Sequence, residues 1–224
     1  MELIPAIMPH TFQELKDHVE KVRGLVSTVQ IDVMDGIFVE IENWPYTEKD
    51  SFNKLLYGEE NFPYKGELKY EVDLMIKDPE YEAGKWLETG IDRIVLHVES
   101  TKNMQGVIDV IEARNGVEVG IALNTMTPHE TVEPYLEHID FIQCMGIARI
   151  GYQGEPFDER VIHKIIALRK AHPDVIIQVD GAVNSETAPR LLKAGASRLV
   201  SGSAIWESKD IAATIEEFKT IIYG

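Results

Sequence analysis

The chain has 224 residues, with 22 Lys and Arg against 38 Asp and Glu and a formal net charge of −16. That acidic balance argues against nucleic acid or an anionic membrane as the main partner. It leaves a phosphorylated small molecule open, because main-chain N–H groups hold phosphate without net positive charge.

The longest apolar runs, such as Ile4 to Met8, fall far short of the roughly 18 residues that a membrane span needs. An acid at Glu2 and no basic N-terminal region predict no secretory leader. The lone cysteine, Cys144, cannot form an internal disulfide, which predicts a reducing, cytoplasmic setting. Apolar, β-branched runs then alternate with helix-period segments from end to end. A strand over Leu3–Met8 leads to a helix over Thr11–Arg23, opened by a capping box of Thr11 and Glu14. A second strand covers Val29–Met34, and residues 36–66 read as loop around a short helix at Asp50–Leu56. Strand Tyr70–Met75 precedes helix Pro79–Glu88, closed by Gly90. Strand Arg93–His97 precedes helix Met104–Ala113, and strand Val117–Leu123 precedes helix Glu130–His138. Strand Phe141–Met145 pairs with helix Asp158–Ala171, and strand Val175–Asp180 with helix Glu186–Ala194, closed by Gly195. Strand Arg198–Ser201 and helix Ile211–Ile222 end the chain.

Strands rich in Val and Ile on both faces suit a parallel sheet covered by helices. Eight βα units at this length predict a single α/β domain over residues 1–224, a (β/α)8 TIM barrel rather than an open doubly wound sheet. Chemistry in such a barrel sits at the C-terminal ends of the strands. Three acids lie there inside apolar strands: Asp32 between Ile31 and Val33, Asp73 between Val72 and Leu74, and Asp180 after Val179. A carboxylate so placed is costly unless paired, protonated or metal-bound, so the three point to a site. After strands seven and eight come Gly181–Ala182 and Gly202–Ser203, each between a strand and a helix. Small residues in these two loops expose main-chain N–H groups where the fold commonly holds phosphate. Cys144 reads as a buried thiol, His97 as a hydrogen-bonding partner behind the site, and Asp35 as a binder of local backbone N–H groups.

The segments Ile31-Asp-Val-Met-Asp-Gly-Ile-Phe-Val39, Val72-Asp-Leu-Met75, Val95-Leu-His-Val-Glu99, Val179-Asp-Gly181 and Val200-Ser-Gly-Ser-Ala-Ile205 carry a resemblance. Through them the sequence resembles the ribulose-phosphate 3-epimerase family over nearly its whole length. These are small barrels of the ribulose-phosphate-binding type that interconvert ribulose 5-phosphate and xylulose 5-phosphate. The resemblance implies a phosphorylated sugar as substrate and a homo-oligomer. Asp32 and Asp180 match the two acid–base carboxylates that remove and return the C3 proton through an enediolate. Met34, Met75 and Met145 match three pocket methionines. The two Gly turns predict a phosphate against Gly181, Ala182, Gly202 and Ser203, with Gly154 from the strand-six loop as a third wall.

The match breaks at the metal. The family holds a divalent ion with the same two aspartates and two histidines, whereas this chain has Gln30 and Asp73 at the histidine positions. Ala6 replaces an expected serine, and the strand-six loop Gly146-Ile-Ala-Arg-Ile-Gly-Tyr-Gln-Gly154 is one residue longer and gains Arg149. Arg149 either closes over the mouth or faces solvent. Asp32, Asp73 and Asp180, with Gln30 if its amide oxygen faces inward, form an all-oxygen set that suits Mg²⁺ or Mn²⁺ rather than zinc. The expectation is a weakly bound divalent cation or none. Two alternatives stand beside an epimerase: a non-catalytic phosphosugar-binding barrel, and a lyase or decarboxylase on the same scaffold. The last would use Asp-x-Lys-x-x-Asp around strand three, but Lys77 is displaced by two residues in Asp73-Leu-Met-Ile-Lys77-Asp78.

Overall fold

The structure, a computed structural model, describes residues 1–114 and 116–224. Its strands are β1 (Glu2–Ile7), β2 (Thr28–Met34), β3 (Lys69–Met75), β4 (Arg93–His97), β5 (Glu118–Leu123), β6 (Phe141–Met145), β7 (Ile176–Asp180) and β8 (Arg198–Ser201). They pair in parallel in sequence order, and β8 pairs back onto β1 to close a TIM barrel. The covering helices are α1 (Phe12–Val22), α2 (Lys49–Leu56), α3 (Glu80–Glu88), α4 (Met104–Glu112), α5 (Arg160–Ala171), α6 (Ala188–Ala194), α7 (Ser203–Trp206) and α8 (Ile211–Tyr223). Among the described residues no helix is long and apolar enough to cross a membrane.

Local signals fix the ends. Thr11 Oγ1 accepts from the Glu14 N–H at 3.1 Å, and Gly90 and Gly195 take positive φ after α3 and α6. Between β5 and β6 the expected α-helix over Glu130–His138 is instead a 3-10 helix over His129–Tyr135. Pro134 lies inside it and removes an N–H that an α-helix would use. The short α7 after Gly202 has no periodic apolar stripe in the sequence and was not anticipated.

The expectation of strands apolar on both faces is corrected. Outward residues such as Ile31, Val72, Leu74, Ile94, Ile121, Ile142, Val179 and Leu199 join the helices in one large apolar cluster. The inward positions between them hold Gln30, Glu71, Asp73, Arg93, Gln143 and Gln178, all buried. Buried polar atoms are costly unless paired, and most of these pair in a column, although Glu71 Oε2 and Gln178 Oε1 take no hydrogen bond. Gln178 Nε2 donates to Glu71 Oε1 at 2.6 Å and to Gln143 Oε1 at 2.8 Å. Arg93 lies 3.6 Å from Glu71 and 3.0 Å from Glu2, and Arg198 contacts Glu118 at 2.9 Å. Burial pushes the Glu71 carboxyl up to about 7, against the opposing pull of Arg93, the Gln178 hydrogen bond and Arg198.

Glu71 therefore sets a pH dependence. Between its ordinary value of 4.5 and about 7 the native carboxyl keeps a proton that the unfolded chain has released. The Glu71 contribution to stability is then full below pH 4.5 and is lost as pH rises through about 7, by up to about 1.4 kcal/mol per unit. Glu71→Gln removes this component, so its melting temperature is expected to drop less than the wild type's between pH 5 and pH 8.5. Equal drops would show that Glu71 titrates as a normal carboxylate.

Candidate functional site

Strand register builds the site floor. Asp32 and Asp73 are Cα partners across β2 and β3, and Met145 and Asp180 are partners across β6 and β7. Asp32, Asp73 and Asp180 converge so that one carboxylate oxygen from each lies within 4.8 Å of the others. Asn43 fixes the end of β2, donating from Nδ2 to the Asp32 carbonyl at 2.8 Å and accepting the Met34 N–H at 2.8 Å. Asp35 accepts the N–H groups of Ile37, Phe38 and Lys77, the local role expected for it.

One cavity joins the aspartates to the Gly loops. Asp32, Asp180, Met75 and Met145 line its floor, and Gly154, Gly181, Ala182, Gly202 and Ser203 line its wall. Gln30, Met34 and Asp73 do not line it. Gln30 and Asp73 are fully buried at inward positions of β2 and β3, and Met34 packs with Val39 and Met75. Gly181 has φ +101°, and Ala182 follows at +53°, a left-handed conformation that costs an alanine about 1 kcal/mol or more. Glycine is required at 146 as well, where a Cβ would come within 2.2 Å of the Gly181 carbonyl oxygen. The ends of β6 and β7 are thus held backbone to backbone, with the Gly146 N–H on the Asp180 carbonyl at 2.6 Å.

Hydrogen bonds organise the carboxylates. Gln30 Nε2 donates to Asp32 Oδ1 at 2.8 Å and to Asp180 Oδ2 at 3.1 Å. Asp73 Oδ1 meets His97 Nε2 at 3.0 Å, and its Oδ2 accepts from Gln143 Nε2 at 2.8 Å. His97 thus stands behind the site as expected. Burial opposes charge on its imidazole, but the charge and hydrogen bond of Asp73, with Glu99 and Asp180, push its pKa up. Burial raises the pKa values of both Asp32 and Asp180. The Asp180 and Asp73 charges add to this at Asp32, and the Asp73 charge adds to it at Asp180. Two carboxyls with raised pKa values at this separation share protons as a pair.

The three aspartates can hold a metal ion. The set of two imidazoles and two carboxylates does not fit them. His97, the one imidazole here, spends Nε2 on Asp73, and Gln30 turns its amide nitrogen, not its oxygen, toward Asp32 and Asp180. The amide oxygen of Gln30 does not face inward, so the oxygen donors that converge are Asp32, Asp73 and Asp180.

Tyr152, Gln153 and Glu155 also line the cavity, a contribution the sequence reading missed. The Gln153 amide lies against Gly202, within 2.7 Å of where a Cβ there would stand. Arg149 is exposed. It stacks on Tyr152 with 3.6 Å from its guanidinium carbon to the ring centroid, and it lies 3.9 Å from Glu155. Cys144 is buried, and burial pushes its thiol up to about 12, which excludes a nucleophilic role at neutral pH. Lys77 donates to the Ser100 carbonyl at 3.2 Å and does not line the cavity.

The model of the Ribulose-phosphate 3 epimerase family matches residues 2–206. The chain is 31% identical to the ribulose-phosphate 3-epimerase of Bacillus subtilis, with 98% of each chain covered. It is also 31% identical to the chloroplastic ribulose-5-phosphate-3-epimerase of Arabidopsis thaliana, over 96% of this chain and 75% of that one. Among solved structures, 3-hexulose-6-phosphate synthase from Salmonella typhimurium superposes with a TM-score of 0.74 at 18% identity, covering 99% of this chain and 98% of that one. The KGPDC of Streptococcus mutans in complex with D-R5P gives 0.74 at 16% identity, covering 100% and 99%. At such identities these two share the fold alone.

Proposed function

The chain belongs to the ribulose-phosphate 3-epimerase family, and from that premise we propose that it is a sugar-phosphate 3-epimerase in which Asp32 and Asp180 exchange the C3 proton. The observation that carries this reading is the convergence of these two acids, from strands that are not neighbours, on the floor of a cavity walled by Gly181, Ala182, Gly202 and Ser203. The wall receives the substrate phosphate on main-chain N–H groups. Phosphate there fixes the sugar and directs C3 toward the acids, an orientation effect that lowers the barrier by itself.

Epimerisation needs one carboxylate to take the C3 proton and one carboxyl to return a proton to the opposite face. Two acids with raised pKa values that share protons satisfy both needs near neutrality. The ionised member accepts the proton and the neutral member donates one, so each turnover exchanges their states and the reverse reaction restores them. Met75 and Met145 give the sugar an apolar, adaptable floor that keeps water from the enediolate. A hard cation such as Mg²⁺ or Mn²⁺ is at most weakly held by the three carboxylates, and zinc is disfavoured by the absence of imidazole ligands.

A coupled assay of ribulose 5-phosphate turnover tests this directly, run without added metal and with Mg²⁺, Mn²⁺ or Zn²⁺. Turnover that needs no added ion is expected. Phosphosugar binding without turnover under every condition would favour a binding protein on the same scaffold.

A further inference from the structure

Resting on the assignment of Asp32 and Asp180 as the proton-transfer pair, we propose that Gln30 is a positioning residue whose amide N–H₂ group bridges the two carboxylates, so that the pair works without a divalent cation between them. The amide has two hydrogens and meets one acceptor with each, Asp32 Oδ1 at 2.8 Å and Asp180 Oδ2 at 3.1 Å. These two acceptors set its direction. Gln30 Oε1 lies 3.4 Å from Gln178 Nε2, whose two hydrogens go to the closer oxygens of Glu71 at 2.6 Å and Gln143 at 2.8 Å.

To offer its carbonyl oxygen to a cation, Gln30 would have to turn over. Both carboxylate bonds would break, its N–H₂ would face that of Gln178, and an oxygen would point at two acceptors. Gln30 and Gln178 are fully buried, where a polar group left without a partner is costly. Asp73, the other position where an imidazole is implied, is tied into the same network. Each of its oxygens already takes an N–H donor, from His97 and from Gln143. The residues that replace the two histidines are therefore parts of one hydrogen-bonded array rather than vacant ligands. The bridge holds the two reacting carboxyls, both of which line the cavity, at a fixed separation. Gln30 does not line that cavity, so it acts on the pair and not on the substrate.

The test uses the full chain purified without chelator. Its metal content is measured, it is titrated with Mn²⁺ and with Zn²⁺ by calorimetry, and exchange of the C3 hydrogen of ribulose 5-phosphate is followed in D₂O. Two variants run beside it. Gln30→Met keeps the length and burial of the side chain but has no N–H, and Gln30→His/Asp73→His supplies two imidazoles. The wild type is expected to hold well under one equivalent of either ion and to exchange at the same rate after dialysis against chelator. Gln30→Met is expected to lose kcat about 10-fold or more while KM stays within about 3-fold, the split expected when a group acts on the reacting pair alone. The double variant is expected to gain a zinc site, two imidazoles and two carboxylates being a good zinc set.

One equivalent of metal in the wild type, with exchange abolished by its removal, would overturn the proposal. So would wild-type kcat in Gln30→Met. Should Gln30→Met not fold, equal zinc affinity in the wild type and the double variant overturns it, and a gain confined to the double variant upholds it. A wild type that turns over no sugar phosphate defeats the epimerase assignment, while the metal titrations still decide between amide and cation as the bridge.

Discussion

Asp32→Asn and Asp180→Asn are each expected to lower net epimerisation of ribulose 5-phosphate by about 10²-fold or more, the usual scale of a positioned acid or base. Both side chains reach the same cavity from strands that are not paired with each other. An amide in place of either carboxyl keeps volume and hydrogen bonding but can neither take nor return the C3 proton. The two variants should nonetheless differ in a way that a merely damaged site cannot imitate. The aspartate left intact in each variant can still remove the proton from the epimer whose C3–H faces it. One variant should then wash deuterium into ribulose 5-phosphate and the other into xylulose 5-phosphate, neither forming the opposite epimer at an appreciable rate. In the wild type the rate should fall on both sides of an optimum. At low pH both acids are protonated and no base remains, and at high pH both are ionised and no acid remains. Exchange of both epimers in both variants would move the chemistry to other residues.

The barrel and most of its elements were legible in the sequence because apolar periodicity and Gly stops are local signals. The three aspartates were legible for a related reason, each being an acid among apolar neighbours in a strand. The same flanking pattern surrounds Gln30, Glu71, Gln143 and Gln178, for example Ile142 and Cys144 around Gln143. Those residues form the polar column inside the barrel. An amide carries no charge to make its burial conspicuous, and Glu71 lies short of the strand end where chemistry is sought, so the column was read as strands apolar on both faces. The direction of the Gln30 amide had no sequence signal at all, because its acceptors Asp32 and Asp180, the latter 150 positions away, are brought together only by the closed barrel. Gln153 was invisible for a different reason. Its loop is positioned by tertiary packing, Gly151 lying against Met34 and Val39, where an added Cβ would come within 3.2 Å of each. The 3-10 helix at His129–Tyr135 was misread although its cause, Pro134, stands in the sequence.

Ser203→Asp is expected to weaken binding of ribulose 5-phosphate by about 10²-fold or more, through charge rather than shape. Ser203 lines the same wall as Gly181, Ala182 and Gly202, and no Lys or Arg side chain lines that cavity. The Arg149 guanidinium stacks on Tyr152 beside Glu155. A phosphate there depends on main-chain N–H groups, and Glu155 already contributes a carboxylate to the lining. A carboxylate added about 4 Å from one phosphate charge costs about 4 kcal/mol at an effective dielectric near 20. Because Ser203 is half-buried, solvent screens part of that, and half of it across a dianion still amounts to at least about 10²-fold in affinity. Ser203→Asn keeps nearly the same volume without the charge and should bind within a few-fold of wild type. Gln153→Ala, which removes only the neutral amide beside Gly202, should fall between the two. Calorimetry with ribulose 5-phosphate and with inorganic phosphate separates the contributions, since inorganic phosphate reports on the wall alone. Raising the ionic strength should narrow the gap between Ser203→Asp and Ser203→Asn if charge is the cause. Unchanged affinity in Ser203→Asp, with melting temperature also unchanged, would mean that the phosphate is held away from the β7 and β8 loops.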